Sequence, residues 1–392
     1  MVASIGDLED FVINPSINVS PYCYSILRIE PYLTCEHKCV YCFGRWYRVK
    51  ATENLPVTKT LHTFTKLLKF LKKRNVKIMP FRLATLVDPF QPIEAEYSMS
   101  KHLMKLCLKY ESPLIINTKA TLLLREDYIN VLEKLCDKSL AIVQISLSTI
   151  NDEIARSIEP NAPPPTERLN AIERLSGNNI PVIVRLQPFI PGITDRELEK
   201  IVEQIKYAGA RQMIVESLRD EDENLALYKK LAYEKQAYEN LGAWEPYSPS
   251  IETSSKIMRV SVQWRKHAYT KARELCDKFG LKFSTCKEGF YELHTAENCC
   301  GMQFLNQSNY VLRPTLHEAW IYYKKKKVIP SFSELVEYLT SNYVFGASLR
   351  RYPRPLRKKM LSHEKILLKI LDEEAESLPR FIPSLSPNDK AN

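Results

Sequence analysis

The chain has 392 residues, 45% apolar and 26% charged, with a formal net charge of +10, which is ordinary globular composition with material for two or three domains. Ten glycines, the closest pair (Gly280 and Gly289) nine residues apart, exclude a Rossmann fingerprint and a P-loop, both of which need glycines roughly two to five residues apart to bring backbone amides onto a phosphate. The seven histidines are never closer than 23 residues, which excludes the paired-imidazole helix of zinc proteases; the absence of any apolar run near about eighteen residues makes a cytoplasmic protein with no membrane partner the expectation.

After an N-terminal extension (1–22), strand and helix patterns alternate. Strands are expected at 25–32, 77–86, 114–118, 141–148, 181–186 and 212–217, and helices at 61–74, 98–110, 126–136, 165–175 and 196–207. Six strands alternating with helices favour parallel pairing through crossovers, so an α/β fold with a partial barrel over 23–217 is expected. Thr194 and Glu197 read as a capping box at the last of these helices. Past it the alternation stops. Residues 221–240 read as helix, 247–251 as a proline-containing loop, 254–279 as one long helix, and 316–323 and 332–343 as helices. The expectation is a mainly helical C-terminal region (218–375) and a disordered tail (376–392).

Ten cysteines in a chain expected to be intracellular point to metal or redox chemistry before disulfides. Cys35, Cys39 and Cys42 fall within eight residues; Cys286, Cys299 and Cys300 form a looser late group; Cys23, Cys107, Cys136 and Cys276 are scattered and read as small buried hydrophobes. Three thiolates in one loop suit an iron–sulfur cluster that keeps one iron open, whereas structural zinc and four-cysteine clusters close their coordination. His37, between two of the thiols, offers the alternative fourth ligand of a zinc site. The late group reads either as an auxiliary cluster using one of the adjacent Cys299 and Cys300 or as buried structure.

The spacing Cys35-x-x-x-Cys39-x-x-Cys42, with Tyr41 before the third cysteine and at the head of the β/α series, resembles the radical S-adenosylmethionine (SAM) superfamily. Further stretches over 20–217 resemble its spore photoproduct lyase-like, or DNA repair photolyase-like, branch: Asp88-Pro89-Phe90-Gln91-Pro92, Asn117-Thr118-Lys119, Ser146-Leu147-Ser148-Thr149, Glu159-Pro160-Asn161-Ala162-Pro163 running to Arg168, and Ile190-Pro191-Gly192-Ile193-Thr194. Residues 43–47 depart from the branch's usual run. The resemblance implies a radical SAM barrel, a [4Fe–4S] cluster on Cys35, Cys39 and Cys42, SAM bound at the open iron, an electron-donating partner such as ferredoxin or flavodoxin, and cleavage of SAM to methionine and a 5′-deoxyadenosyl radical, with lyase or transferase outcome unresolved. The glycine-rich amine-binding segment usual in the superfamily is missing, as in that branch. The expected cofactor-binding residues are therefore Tyr41, Thr85, Asp88 toward the SAM ammonium, Lys119 toward its carboxylate, and Ser146 and Ser148 toward the ribose. Apart from Tyr41 in the cysteine loop, these fall at strand C-termini, where a barrel assembles sites. The resemblance also offers the late cysteines a third reading, a thiol that returns a hydrogen atom to a substrate radical, although its position in that branch does not align with this one.

Residues 311–370 hold 13 Lys and Arg against four Asp and Glu. Lys324, Lys325, Lys326 and Lys327, with Arg350, Arg351, Arg354, Arg357, Lys358 and Lys359, read either as a solvated face or as a DNA- or RNA-binding face, with Tyr322, Tyr323, Tyr343 and Tyr352 offering stacking surfaces. Nucleic-acid repair or modification is the expected function. The alternatives are a radical enzyme acting on a peptide or small molecule, and a non-catalytic metal-stabilised nucleic-acid-binding protein.

Overall fold

A computed structural model of the chain describes residues 20–46, 51, 53–233, 244–247 and 256–385; residues 1–19, part of the expected 221–240 helix, most of the 247–251 loop and residues 386–392 lie outside them. Six parallel strands pair in sequence order: β1 (Arg28–Ile29), β2 (Phe81–Leu83), β3 (Leu114–Thr118), β4 (Ala141–Leu147), β5 (Val182–Phe189) and β6 (Gln212–Ser217). Between them run α1 (Thr58–Lys73), α2 (Met99–Tyr110), α3 (Glu126–Asp137), α4 (Asp152–Ile158), α5 (Pro165–Gly177) and α6 (Thr194–Tyr207). Each longer crossover helix turns one apolar stripe to the sheet, as Phe64, Leu67, Leu68 and Leu71 do on α1, which is the burial an amphipathic helix requires.

The strand alternation sorts the two faces. Leu114, Ile116, Val143, Ile145, Val184 and Leu186 pack on the helices, while Ile115, Ile142, Ile183 and Ile214 point the other way and pack on Cys300, Met302, Leu305 and Tyr310, as period two demands. Toward the strand C-termini that inner face turns polar through Arg82, Asn117, Gln144, Ser146, Arg185 and Glu216. This change from isoleucine to polar side chains divides a packed floor from a cavity.

Four expectations are corrected. The alternation does not stop at β6: after β7 (Arg219–Glu221), α7 (Asp222–Leu231), β8 (Glu245–Pro246), β9 (Ile257–Arg259) and α8 (Val262–Phe279), a seventh parallel strand, β10 (Lys282–Thr285), pairs with β6. The stretch 254–279 is not one helix, because β9 pairs between β7 and β8 in a small antiparallel sheet and the Ser261 side chain caps α8 by accepting from the Trp264 amide. Thr194 makes no capping box. Its hydroxyl donates to the Ser148 carbonyl at 2.6 Å, and Glu197 accepts from Thr149 and the Ile150 amide instead. Residues 376–385 of the supposed disordered tail are ordered, with Leu378, Phe381, Ile382 and Leu385 buried; Gly289 lies so near this turn that a Cβ there would stand 1.7 Å from the Phe381 carbonyl oxygen. The rest of the C-terminal region is helical, with α9 (Leu316–Lys326), α10 (Phe332–Tyr338) and α11 (Arg354–Leu368). No helix among the described residues is long and apolar enough to cross a membrane.

Candidate active site

A cavity of about 910 Å³ opens at the C-terminal ends of the parallel strands. Cys35, Cys39, Cys42, Tyr41, Thr85, Asp88, Lys119 and Ser146 all line it. Ser148 does not.

The cysteine loop follows β1 and is fastened on two sides. On one side Gln91 accepts from the Glu36 amide at 2.7 Å and donates to the Thr34 carbonyl at 2.9 Å, while Glu36 accepts from the Ile93 amide at 3.0 Å. On the other, the Val40 amide donates to the Ile158 carbonyl at 2.9 Å and Asn161 donates to the Glu36 carbonyl at 2.8 Å. Lys38 takes a left-handed φ of 50°, a conformation a lysine holds only where its surroundings impose it. Burial pushes the Cys35 thiol up to about 11, with Asp88 adding to it, and the Cys39 thiol up to about 12 against the opposing pull of Lys119. A thiol held that high stays neutral until a metal takes the place of its proton.

His37 is turned away from zinc ligation. Its Nδ1 lies 3.2 Å from the Asn161 carbonyl oxygen and its Nε2 lies 3.3 Å from Asp88, outside hydrogen-bond geometry. The donor set toward the cavity is therefore three soft thiols from one loop, which fits an iron–sulfur cluster with an open iron.

Asp88 is occupied inside the protein. Oδ1 accepts from Thr118 Oγ1 at 2.7 Å and the Phe90 amide at 3.0 Å, and Oδ2 accepts from the Lys119 amide at 2.7 Å. Burial works to raise its pKa, but His37 and these donors outweigh it and hold the carboxyl at about 2. Its own amide lies 3.4 Å from the Cys35 sulfur, so Asp88 ties the cysteine loop to the ends of β2 and β3. Thr85 is similarly held: its amide and hydroxyl both donate to Glu30, at 2.7 and 3.1 Å. Lys119 Nζ sits 5.4 Å from the centre of the Tyr41 ring.

Beneath the loop, Glu159 accepts from Tyr41, Ser148 and Arg168. Arg168, 1% exposed, also donates to the carbonyls of Pro163 and Ser146. Burial works to raise Glu159, but the Arg168 guanidinium, Lys119 and the Tyr41 hydroxyl together outweigh it and hold the carboxyl at about 2. Ser148 thus supports the loop from below. Glu30, Glu159 and Arg168 carry this scaffolding and were assigned no role from sequence; Glu30 had a signal, a charged residue within an apolar segment that needs a partner, whereas Glu159 and Arg168 sit in polar sequence and had none.

The late cysteines lie under the same cavity, and Cys23 joins them. Cys23 and Cys286 line it. The Cys299 and Cys300 sulfurs are 3.7 Å apart, and the Cys299 side chain also meets Cys286. Cys23, read as an isolated core residue, is near enough to Cys286 and Cys300 to interact electrostatically; the contact is invisible in sequence because it depends on the inner face of the sheet. Among the described residues, neither cysteine group closes to the spacing of a single bound metal ion.

None of Lys324–Lys327 or of Arg350, Arg351, Arg354, Arg357, Lys358 and Lys359 lines the cavity, and of the four tyrosines expected to stack on bases Tyr352 is buried while the other three are half-exposed. Tyr352 is buried with its hydroxyl on the Lys77 carbonyl, Tyr343 donates to Glu318, Tyr322 packs edge-on against Tyr338, and Tyr323 stacks on Trp320. The cations that do face the cavity are others: Arg28, Arg82, Lys119, Arg185, Arg219, Arg259, Arg265, Lys287 and Arg380, against Asp88, Glu216 and Glu245.

A parallel β/α sheet carrying a three-cysteine loop at the mouth of its strand-end cavity is the arrangement of the radical SAM class. Residues 29–205 match the Radical SAM superfamily. An uncharacterized protein of Mycobacterium tuberculosis is 26% identical over 209 residues, 51% of this chain and 60% of the relative. One of Methanocaldococcus jannaschii is 26% identical over 43% of this chain and 62% of its own length, and one of Acidianus two-tailed virus is 27% identical over 42% and 59%. The matches thus span about 60% of the length of these relatives. In fold the chain is similar to spore photoproduct lyase complexed with dinucleoside spore photoproduct, with a TM-score of 0.50 at 11% identity over 70% of this chain and 78% of that one. It is equally similar, with a TM-score of 0.50 at 12% identity over 69% and 79%, to a double mutant of that lyase with bound AdoMet and the same dinucleoside.

Proposed function

We propose that the protein is a radical SAM enzyme whose Cys35, Cys39 and Cys42 hold a [4Fe–4S] cluster and whose substrate is a nucleic acid. The observation that carries this reading is the convergence of the three loop thiols with the ends of β2, β3 and β4 on one cavity. When bound and reduced by a donor such as ferredoxin or flavodoxin, the cluster supplies the electron that cleaves SAM to methionine and a 5′-deoxyadenosyl radical.

The chain's own residues bind and orient. Lys119 offers its ammonium to the SAM carboxylate, a charge-assisted contact, and Ser146 offers a hydroxyl to the ribose. Asp88 and Glu159 are positioning residues: the first ties Cys35 to β3, the second ties Tyr41 to β4. Of the nine lining cations, Arg28, Arg219 and Arg265 are paired with Glu30 and Glu288 behind the wall. The cationic excess that remains suits an anionic substrate such as a phosphodiester, and the fold is one in which spore photoproduct lyase accommodates a dinucleoside. Ser20–Cys23, Ser25, Ile26, Pro379–Phe381 and Pro383 wall part of the cavity, and a base reaching the cluster is expected to be unstacked from its neighbours.

Anaerobically reconstituted protein is expected to show a [4Fe–4S] spectrum that SAM perturbs, and dithionite is expected to release 5′-deoxyadenosine. One tightly bound zinc per chain with no iron would overturn the enzymatic reading. Turnover of a peptide with no affinity for DNA or RNA would replace the substrate.

A further inference from the structure

We propose that Cys23, Cys286 and one thiol of the Cys299–Cys300 pair hold a second iron–sulfur cluster on the floor of the cavity. The idea extends the proposed function and rests on cysteines outside the 35–42 loop, although Arg82, Arg185 and Lys287 beside them are also among the cations counted for the substrate. Cys286, Cys299 and Cys300 belong to one packed cluster and Cys23 lines the cavity beside Cys286, so four of the seven cysteines outside the 35–42 loop gather here from three places: the stretch before β1, the loop after β10, and the turn before Gly301. The other three, Cys107, Cys136 and Cys276, lie on α2, α3 and α8 within the helix-facing core.

The turn carrying the vicinal pair is fixed in place. Gly301 has a φ of 76°, and a Cβ there would stand 1.9 Å from Ile183 Cδ1, so only glycine lets the backbone press this closely on the inner face. Gln144 donates to the Cys300 carbonyl at 2.8 Å. From the other end of the chain, Arg313 donates to the Cys23 carbonyl at 2.7 Å and Ser20 to its sulfur at 3.5 Å. Both ends of the set are therefore anchored by groups that bear no metal.

Charge supplies the second, independent argument. Arg82 Nη2 donates to the Cys300 sulfur at 2.8 Å, Arg185 Nη2 lies 3.6 Å from the Cys286 sulfur, and Lys287 adjoins Cys286. Arg82 is 9% exposed and makes no ion pair with a carboxylate among the described residues. A guanidinium buried in this way needs an anionic counterpart. Thiolates bound to iron and sulfide supply that negative charge, and a set of small apolar side chains does not. Soft thiolates are also the donors that select iron–sulfur clusters over hard cations.

Iron and acid-labile sulfide, counted in the anaerobically reconstituted full chain and in two variants, test the proposal. The expected result is about eight irons in the wild type and about four in both the Cys35→Ala/Cys39→Ala/Cys42→Ala and the Cys23→Ala/Cys286→Ala proteins. The first variant leaves every residue of the second site intact, so its iron must be held there, and its reduced electron paramagnetic resonance signal should be insensitive to SAM. About four irons in the wild type with none in that variant overturns the proposal, as does zinc in place of iron. Failure of the radical SAM reading has a different signature: the first variant keeps all of the wild-type iron, and neither the wild type nor the Cys23→Ala/Cys286→Ala protein forms 5′-deoxyadenosine.

Discussion

Cys35, Cys39 and Cys42 sit in one loop fastened by hydrogen bonds to 91–93 on one side and 158–161 on the other. Cys23, Cys286, Cys299 and Cys300 share no loop; they meet only because the 299–310 segment packs against the inner isoleucines of the sheet. The first group is held by a local scaffold of polar tethers and the second by the packing of the whole sheet. The contrast separates two ways of building a thiol site, one that withstands loosening of the core and one that does not.

The sharpest way to break the comparison is to cut the scaffold of the first group alone. Arg168→Ala leaves Glu159 buried and unpaired beneath Tyr41, and loss of one partner of a buried pair is expected to cost about 3–5 kcal/mol, measured by denaturant unfolding. The pair also sets a pH dependence. Glu159 is held at about 2, below the ordinary 4.5, so its contribution is fully present above pH 4.5 and is lost as pH falls toward 2. It amounts to about 3 kcal/mol, and Glu159→Gln should flatten the stability curve across that window.

A smaller effect is expected where the second group depends on packing. Gly301→Ala places a methyl against Ile183 in a left-handed conformation, which should destabilise the chain by about 1–3 kcal/mol. It should raise the reactivity of Cys286 and Cys300 toward a thiol reagent while leaving Cys35, Cys39 and Cys42 unchanged. Equal exposure of both groups would erase the distinction drawn above.

The smallest effect belongs to residues remote from both groups. Replacing Lys324–Lys327 by glutamine should leave unfolding and 5′-deoxyadenosine formation unaltered. If these lysines dock a long nucleic acid, the log–log salt slope of its binding should fall by about 0.7–0.9 per lost phosphate contact; an unchanged slope makes them a solvated face.

The local group was legible because its ligands lie within one loop, where spacing is geometry, and the six strands of the domain were legible because apolar runs alternated with amphipathic helices. Strand β10 was not, because only four residues pair and Phe283 alone among them is apolar. The tail was misread because its Pro and Ser content resembles a linker, whereas Leu378, Phe381 and Ile382 find an apolar cluster that only tertiary structure supplies. Cys23 had no local sign at all: the sheet that brings it to Cys286 is a non-local object. Arg82 and Arg185 did carry a sign, since each is a cation inside a strand otherwise buried on both faces, and such a residue asks for a partner across a cavity.

One seam of that cavity has a consequence for the order of folding. The Tyr22 hydroxyl donates to the Phe381 carbonyl at 3.0 Å, joining residues 359 apart in sequence, and the two rings lie 6.2 Å apart. Closing so long a stretch of chain carries a large entropic cost that only nearby contacts repay, so this contact is expected to form after the sheet is in place and to open before it is disturbed. The parallel sheet would then finish folding with the chamber still unsealed, leaving an interval in which inorganic material can reach the thiols without the core coming apart.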